Sequence, residues 1–212
     1  MAEYRLYCFA QSGNSYKAAL MLALCNADWE PRFVDFFNGE TRTPEYRSIN
    51  VMGEVPLLEH GSRRLAQSGV ILHYLAERFG KFGPRDGDER REILRWLLWD
   101  NHKLTSYTAT LRFMLTFMKT GETPVTEFLR GRARASYGIL DAHLASRAFA
   151  IGDAPTIADF SMCGYLFWPE EIGVDWADFP NIRSWLTRIA ALPGWVHPYT
   201  LMPGHPLPVK AG

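Results

Sequence analysis

Apolar and polar positions alternate with a period of two from Tyr4 to Phe9, with Leu6 and Cys8 on one side and Arg5, Tyr7 and Phe9 on the other. That period predicts a β-strand. From Ser15 to Cys25 the chain is alanine- and leucine-rich and apolar nearly all round, which predicts a helix buried on more than one side. Arg32 to Phe36 reads as a second short strand, and the polar stretch from Asn38 to Asn50 as an irregular helix. Val55 to Glu59 and Arg64 to Ala66 flank His60-Gly61-Ser62 and predict a hairpin. Ser68 then reads as the cap of a helix carrying Val70, Ile71, Tyr74, Leu75 and Phe79, stopped by Gly80. The order β-α-β-α-β-β-α over residues 1–80 predicts an α/β layer.

Beyond a Gly- and Pro-rich linker at 81–87 the strand signals vanish, and residues 88–212 read as all-helical. Between Asp88 and Thr120 there is no Gly or Pro, so 33 residues can run as one long, bent helix of about 50 Å at ~1.5 Å per residue. Thr123-Pro124 predicts the next helix start, with proline at the first position. Thr156 and Asp159 have capping-box spacing, with Pro155 and Phe160 at the staple positions. A further helix opens at Asn181 and carries Ile182, Trp185, Leu186 and Ile189 on one stripe, ending at Pro193-Gly194. The tail, with prolines at 198, 203, 206 and 208, reads as extended, either packed or loose. Trp96, Trp99, Phe113 and Phe117 read as core.

Composition narrows the function classes. Lys+Arg and Asp+Glu both number 23, so the chain lacks the basic footprint of a nucleic-acid binder. The densest apolar run, Ala18 to Cys25, is far short of the roughly 18 residues a membrane span needs. The N-terminus runs into a strand pattern with no signal-peptide character, and Cys8, Cys25 and Cys163 are widely spaced, which reads as buried free thiols in a reducing compartment. The histidines have no metal-ligand spacing, so no metal is expected. His102-Lys103 reads as a solvated helix face, since neighbours on a helix point about 100° apart.

Two places carry chemistry. Val55-Pro56 stands at the mouth of a strand, where a cis bond would turn the Val55 backbone outward to pair with an extended peptide; an ordinary trans proline leading a strand is the plainer reading. Ser12-Gly13-Asn14-Ser15 precedes the first helix, whose unpaired N–H groups and partial positive charge favour an anion. A thiolate held there would have its thiol pKa lowered by about one to two units. Capping of the helix by these serines is the plainer reading, and Ser15 suits it.

Ser-Gly-Asn-Ser before the first helix, Gly-Glu-Val-Pro, Gln67-Ser68 and Thr-Ile-Ala-Asp-Phe in a later helix together resemble the soluble glutathione transferase family, over about residues 3–195. The resemblance implies a thioredoxin-like α/β N-terminal domain over 1–80 and an all-α C-terminal domain. It implies a serine-type, bacterial-like enzyme in which the Ser12 hydroxyl bonds the glutathione sulfur; Cys8 lies four residues too early for the cysteine-type reaction. Val55, presented by Pro56, would pair with the cysteinyl main chain of glutathione. Gln67 and Ser68 would hold the γ-glutamyl carboxylate. Glu54 stands where many relatives carry a basic residue, so Arg42 or Asn14 could take the glycyl carboxylate. Asn101, Thr105, Tyr107, Thr108 and Arg112 on the long helix are the residues expected to line a second-substrate site between the domains. Asp159 is a folding feature.

The implied activity is attack of the glutathione thiolate on a small apolar electrophile, with hydroperoxide reduction as a companion reaction, in a cytoplasmic homodimer serving detoxification. A non-catalytic binding member of the same fold, and a glutathione-dependent isomerase or dehalogenase, are the rivals.

Overall fold

The structure, a computed structural model, describes residues 2–206 and divides into two compact units: residues 2–83 with Leu192–Pro206, and residues 84–191. The division lies between Gly83 and Pro84. The tail departs from expectation, because residues 192–206 group with the first unit and not with the helices that precede them. Pro208 lies outside the described residues.

The first unit holds a four-stranded sheet of β1 (Tyr4–Cys8), β2 (Trp29–Phe33), β3 (Leu57–His60) and β4 (Arg63–Ala66), in the order β2-β1-β3-β4. β1 pairs parallel with β2 and antiparallel with β3, and β3 pairs antiparallel with β4. β2 begins three residues earlier than its apolar pattern predicts and contains Pro31, which an edge strand tolerates because one side of it makes no ladder bonds. The alternation in β1 holds: Tyr4, Leu6 and Cys8 are buried, while Arg5 and Tyr7 are half-buried.

Helix α1 (Gly13–Leu24) is buried almost all round, as its composition requires, with Ala18 through Leu22 at 0% exposure. It starts two residues earlier than expected because Ser12, not Ser15, is its cap. The polar stretch forms the short α2 (Pro44–Ile49), capped by Thr43. Helix α3 (Ser68–Phe79) packs on α1 and buries Ile71, Leu72, Leu75 and Ala76, ending at Gly80 with a left-handed φ of 61°. At about 1.5–3 kcal/mol for each large side chain removed from water, that face fixes the start of α3 firmly against the sheet domain.

In the second unit, Asp86 caps α4 (Gly87–Trp99) by accepting from the amides of Asp88 and Glu89. The expected long helix continues to Phe117, but its winding changes twice: π-helical turns at Asp100–Leu104 and Phe113–Phe117 flank α5 (Thr105–Arg112). The first π turn carries the buried Asp100, which accepts from Thr105 Oγ1 at 2.7 Å and Ser161 Oγ at 2.6 Å. Helix α6 (Pro124–Leu144) starts at a Thr123–Thr126 capping box. Helix α7 (Ile157–Met162) starts at the expected Thr156–Asp159 box, and the short α8 (Pro169–Ile172) follows. Helix α9 (Pro180–Ala190) buries the predicted stripe of Ile182, Trp185, Leu186 and Ile189. Its first amides are capped from outside: Asp141 on α6 accepts from the backbone N–H of Asn181 and Ile182 at 2.8 and 3.0 Å. Trp96 is core and Trp99 and Phe117 are half-buried, but Phe113, the first residue of the second π turn, is 38% exposed.

The tail returns along α1 in the opposite sense, through α10 (Pro198–Leu201). Gly194 lies against the carbonyl of Ala23, Tyr16 donates its hydroxyl proton to the carbonyl of Val196 at 3.0 Å, and the Ala10 amide donates to the carbonyl of Pro203 at 2.8 Å.

Candidate functional site

Strand register brings the predicted residues together. Tyr7, near the end of β1, pairs with Leu57, the first residue of β3, and Leu57 pairs with Ala66, the last residue of β4. The segments that leave β1 (through Ser12), enter β3 (through Val55-Pro56) and leave β4 (through Gln67-Ser68) therefore emerge at one end of the sheet. Two helices begin at that end, α1 and α3, so two sets of unpaired amide N–H groups and two positive dipole ends accompany them.

Ser12 is buried, at 6% exposure, and occupies the N-cap of α1 in an extended conformation. Its Oγ accepts from the Ser15 amide at 3.1 Å, and its own amide donates to the carbonyl of Phe9 at 3.0 Å, closing a turn over residues 9–12. With its acceptor role taken by the helix, the Ser12 hydroxyl proton is directed to some other acceptor. Capping and anion binding are thus compatible uses of one oxygen. Asn14 Oδ1 and Ser15 Oγ, in the first turn of the helix, are buried and have no hydrogen-bond partner among the described residues. Cys8 carries no comparable promise: burial pushes its thiol up to about 12, so it stays protonated at neutral pH.

The Val55–Pro56 peptide is cis. The loop before it is held by Asn50, whose amide side chain donates to the Glu54 carbonyl at 2.7 Å and accepts from the Met52 amide at 3.2 Å, and by Tyr46, whose hydroxyl donates to the same carbonyl at 2.9 Å. Gly53 turns that loop at φ 62°, where a Cβ would stand 2.8 Å from the carbonyl oxygen of Thr41; only glycine fits. The Val55 backbone takes part in none of the turn, cap or loop hydrogen bonds among the described residues, which leaves both its polar groups open.

Gln67 sits at φ 68° and ψ 116°, a region that a non-glycine residue occupies at a cost of about 1–3 kcal/mol. The expected cap is displaced by one: Gln67 is the N-cap of α3, without a side-chain cap bond, and Ser68 is its first residue, 5% exposed. The Gln67 amide nitrogen instead reaches Glu54 Oε2 at 3.2 Å and Met52 Sδ at 2.9 Å. Glu54, Gln67 and the start of α3 therefore form one polar corner. Arg42 is exposed and lies against Gly39, with its guanidinium 3.0 Å from where a Gly39 Cβ would stand. The basic side chain beside the Glu54 loop is Arg47, whose Nε is 3.4 Å from the Gly53 Cβ position.

The residues expected to line a second-substrate wall divide. Asn101 is exposed and bonds back to the Leu97 carbonyl, and Tyr107 is half-buried with its hydroxyl accepting from Arg132. Thr105, Thr108 and Arg112 are corrected, because each faces the interior of the helical unit. Thr105 bonds Asp100, Thr108 bonds the Tyr137 hydroxyl at 2.9 Å, and Arg112 pairs with Glu171 at 2.7 Å with its guanidinium 3.7 Å from the Trp168 ring centre. Their exposures of 7%, 0% and 1% take them off any open surface. Asp159, as expected, is a folding residue, accepting from the amides of Ala150 and Thr156 and from the Trp185 indole. Sequence reasoning missed Gln11 and His205, which meet beside Ser12 from opposite ends of the chain. A contact 194 residues long leaves no local pattern to find it by.

No group of side chains suited to hold a metal ion, and no helix long and apolar enough to cross a membrane, occurs among the described residues. The sequence profile described as "Glutathione S-transferase, N-terminal domain" matches residues 2–77, and "Glutathione S-transferase, C-terminal domain" matches residues 103–193. A solved structure of a possible glutathione S-transferase from Rhodopseudomonas palustris is 34% identical, covers 93% of this chain and 98% of its own, and superposes with a TM-score of 0.87. A glutathione transferase homologue from Drosophila mojavensis, solved with bound glutathione, is 25% identical, covers 95% of this chain and 93% of its own, and has a TM-score of 0.85. The maleylacetoacetate isomerase of Rhizobium meliloti is 29% identical over 199 residues, which is 90% of this chain and 87% of that one. The chain belongs to the glutathione S-transferase family. It is a glutathione transferase enzyme, with the thioredoxin-like and all-helical units of that fold.

Proposed function

We propose that the first unit binds glutathione edge-on against Val55 and holds its sulfur ionised at the start of α1, for attack on a small apolar electrophile. The observation that carries this is the register that delivers Ser12, Val55 and Gln67-Ser68 to one end of the sheet. In this reading the Val55 N–H and C=O make two antiparallel hydrogen bonds to the cysteinyl main chain. The γ-glutamyl carboxylate takes the Ser68 hydroxyl and the first amides of α3, with the Gln67 carboxamide beside it. The Ser12 proton then points at the sulfur, which becomes a thiolate by giving its own proton to solvent. The serine is no nucleophile, since no base stands against it among the described residues. Attack on a chloronitrobenzene forms the C–S bond and expels chloride; attack on a hydroperoxide releases an alcohol, and a second glutathione completes the disulfide and water.

Glutathione is the cosubstrate in this reading, no metal takes part, and Asn14, Arg42 and Glu54 border the ligand with Asn101 and Tyr107 left for the electrophile's side. The protein works in the cytoplasm as a homodimer; the exposed Val70 on α3, and Leu94 and Leu98 one turn apart on α4, are the apolar positions a partner subunit would cover. The likeness to a maleylacetoacetate isomerase favours a second reading, in which the thiolate adds to and then leaves an activated double bond with no net consumption of glutathione.

The test is titration of the ultraviolet thiolate band of added glutathione in the wild type and Ser12→Ala, with turnover of chlorodinitrobenzene alongside. The wild type should show the band about one to two pH units below free glutathione. Ser12→Ala should lose that shift and cut turnover by tenfold or more, about 1.4 kcal/mol. Unchanged turnover in the variant removes Ser12 from the mechanism and points to Asn14 or Ser15, whose buried polar atoms lack partners.

A further inference from the structure

The turn that delivers Ser12 has two central residues, Ala10 and Gln11, and both are held by the returning tail. The Ala10 amide donates to the Pro203 carbonyl at 2.8 Å. The Gln11 carboxamide grips the backbone of His205 at both ends: Nε2 donates to the His205 carbonyl at 2.7 Å, and Oε1 accepts from the His205 amide at 3.2 Å. Gln11 is 4% exposed, so these bonds are made out of water, where leaving either end of the carboxamide unpaired costs about 1–3 kcal/mol.

The tail is fitted to this contact. A Cβ on Gly204 would stand 2.7 Å from the Ala10 Cβ and 2.9 Å from Gln11 Oε1, so residue 204 must be glycine for the strap to lie this close. His205 anchors the strap by its ring, which packs on Phe37, Phe33 and Phe9 with centroids 4.5, 5.0 and 5.6 Å away and sets Nδ1 3.7 Å from Asp35 Oδ1. Its Nε2 is buried without a hydrogen-bond partner among the described residues, so the rings and the backbone grip hold the side chain.

We propose that Gln11 is a positioning residue for the reaction: clamped to the 203–205 strap, its carboxamide fixes the turn over residues 9–12 and so aims the Ser12 hydroxyl at the ligand sulfur. Gln11 touches no reacting atom in this scheme; it acts through Ser12. The inference rests on the reading of Ser12 given above. Ser12 caps α1 and closes the turn at once, so a turn freed at its two central residues lets the hydroxyl settle into capping alone. The strap also explains why a segment beyond the helical unit returns to the sheet domain at all.

Three variants approach the clamp from both sides: Gln11→Ala removes the carboxamide, Gly204→Ala pushes the strap away, and truncation after Met202 removes it. Each is measured with full-length wild type as reference, by the thiolate titration of added glutathione, by kcat and KM, and by thermal melting. The clamp predicts that each variant moves the thiolate band toward free glutathione and lowers kcat by about tenfold, a barrier change of one decade, while KM for glutathione stays within about twofold. The Gln11→Ala truncation double variant should be no worse than truncation alone, because truncation already removes the contact that Gln11→Ala deletes. A lower melting temperature with unchanged band and kcat means the clamp is only structural and overturns the proposal, as does additivity in the double variant. A wild type without any thiolate band overturns the Ser12 reading and the clamp with it; a wild-type band that none of the variants disturbs overturns the clamp alone.

Discussion

At the scale of the residue, protonation sets the protein's own thiols apart from the ligand sulfur of the proposed reaction. Burial pushes the Cys8 thiol up to about 12 and the Cys25 thiol up to about 11, so neither competes with a bound ligand thiol as a nucleophile. The Cys8 shift has a consequence for stability. Its folded value lies above the ordinary thiol value of 9.0, so the unfolded chain releases the proton first as pH rises. The stabilisation is complete below pH 9.0 and is lost between there and about 12. Cys8→Ala should therefore flatten the decline in urea stability above pH 9, by up to about 1.4 kcal/mol per pH unit at the steepest point. Equal slopes in the two proteins would mean that Cys8 keeps an ordinary thiol. The candidate site residues of the proposed reading could be picked out one by one because each is announced by local chemistry: a serine before a helix, an X-Pro bond, a Gln-Ser pair at a helix start. Gln11 was not legible, since a glutamine in a turn looks the same whether or not a distant backbone grips it.

At the scale of the element, caps were readable and phases were not. Both threonine caps, at 123 and 156, stand where the spacing puts them, because a cap needs only neighbours three residues apart. Asp159 does more than its box requires, tying the Ala150 loop and Trp185 of α9 to the start of α7. Burial raises its carboxyl above the usual range while those donors pull it back. Asp159→Ala should cost about 3 kcal/mol or more by leaving several buried donors unmet, read as a lower urea midpoint with an unchanged m-value. A loss below about 1 kcal/mol would show that the donors find other partners. The two π turns are what a sequence could not disclose. Each widens one turn of helix, and the first, at Asp100–Leu104, precedes Thr105, Thr108 and Arg112 and so offsets their faces from the register of α4. Pro31 is a related case: a proline breaks an interior strand but is harmless at an edge, and edge position is a tertiary fact.

At the scale of the whole molecule, the two-unit division was readable from composition, since strand signals stop at the Gly/Pro-rich junction. Where the tail belongs was not, because its prolines fit a packed or a loose segment equally well. Assembly state belongs to this scale too. The apolar Val70, Leu94 and Leu98 are 52%, 48% and 63% exposed, and the proposed homodimer covers them. Sedimentation velocity should give twice the chain mass, and Leu94→Glu with Leu98→Glu should return it to the single-chain value; a single-chain wild type at micromolar concentration would dismiss the dimer. The long return of residues 203–205 to Gln11 also has a meaning in time. During synthesis at about 5–20 residues per second, the turn at residues 9–12 leaves the ribosome many seconds before the strap that grips it. The sheet unit can gather its strands early, yet the turn at residues 9–12 stays ungripped until residues 203–205 are translated. In the proposed scheme a nascent or prematurely terminated chain would thus carry a ligand groove without a properly aimed serine, and would hold a tripeptide without activating it.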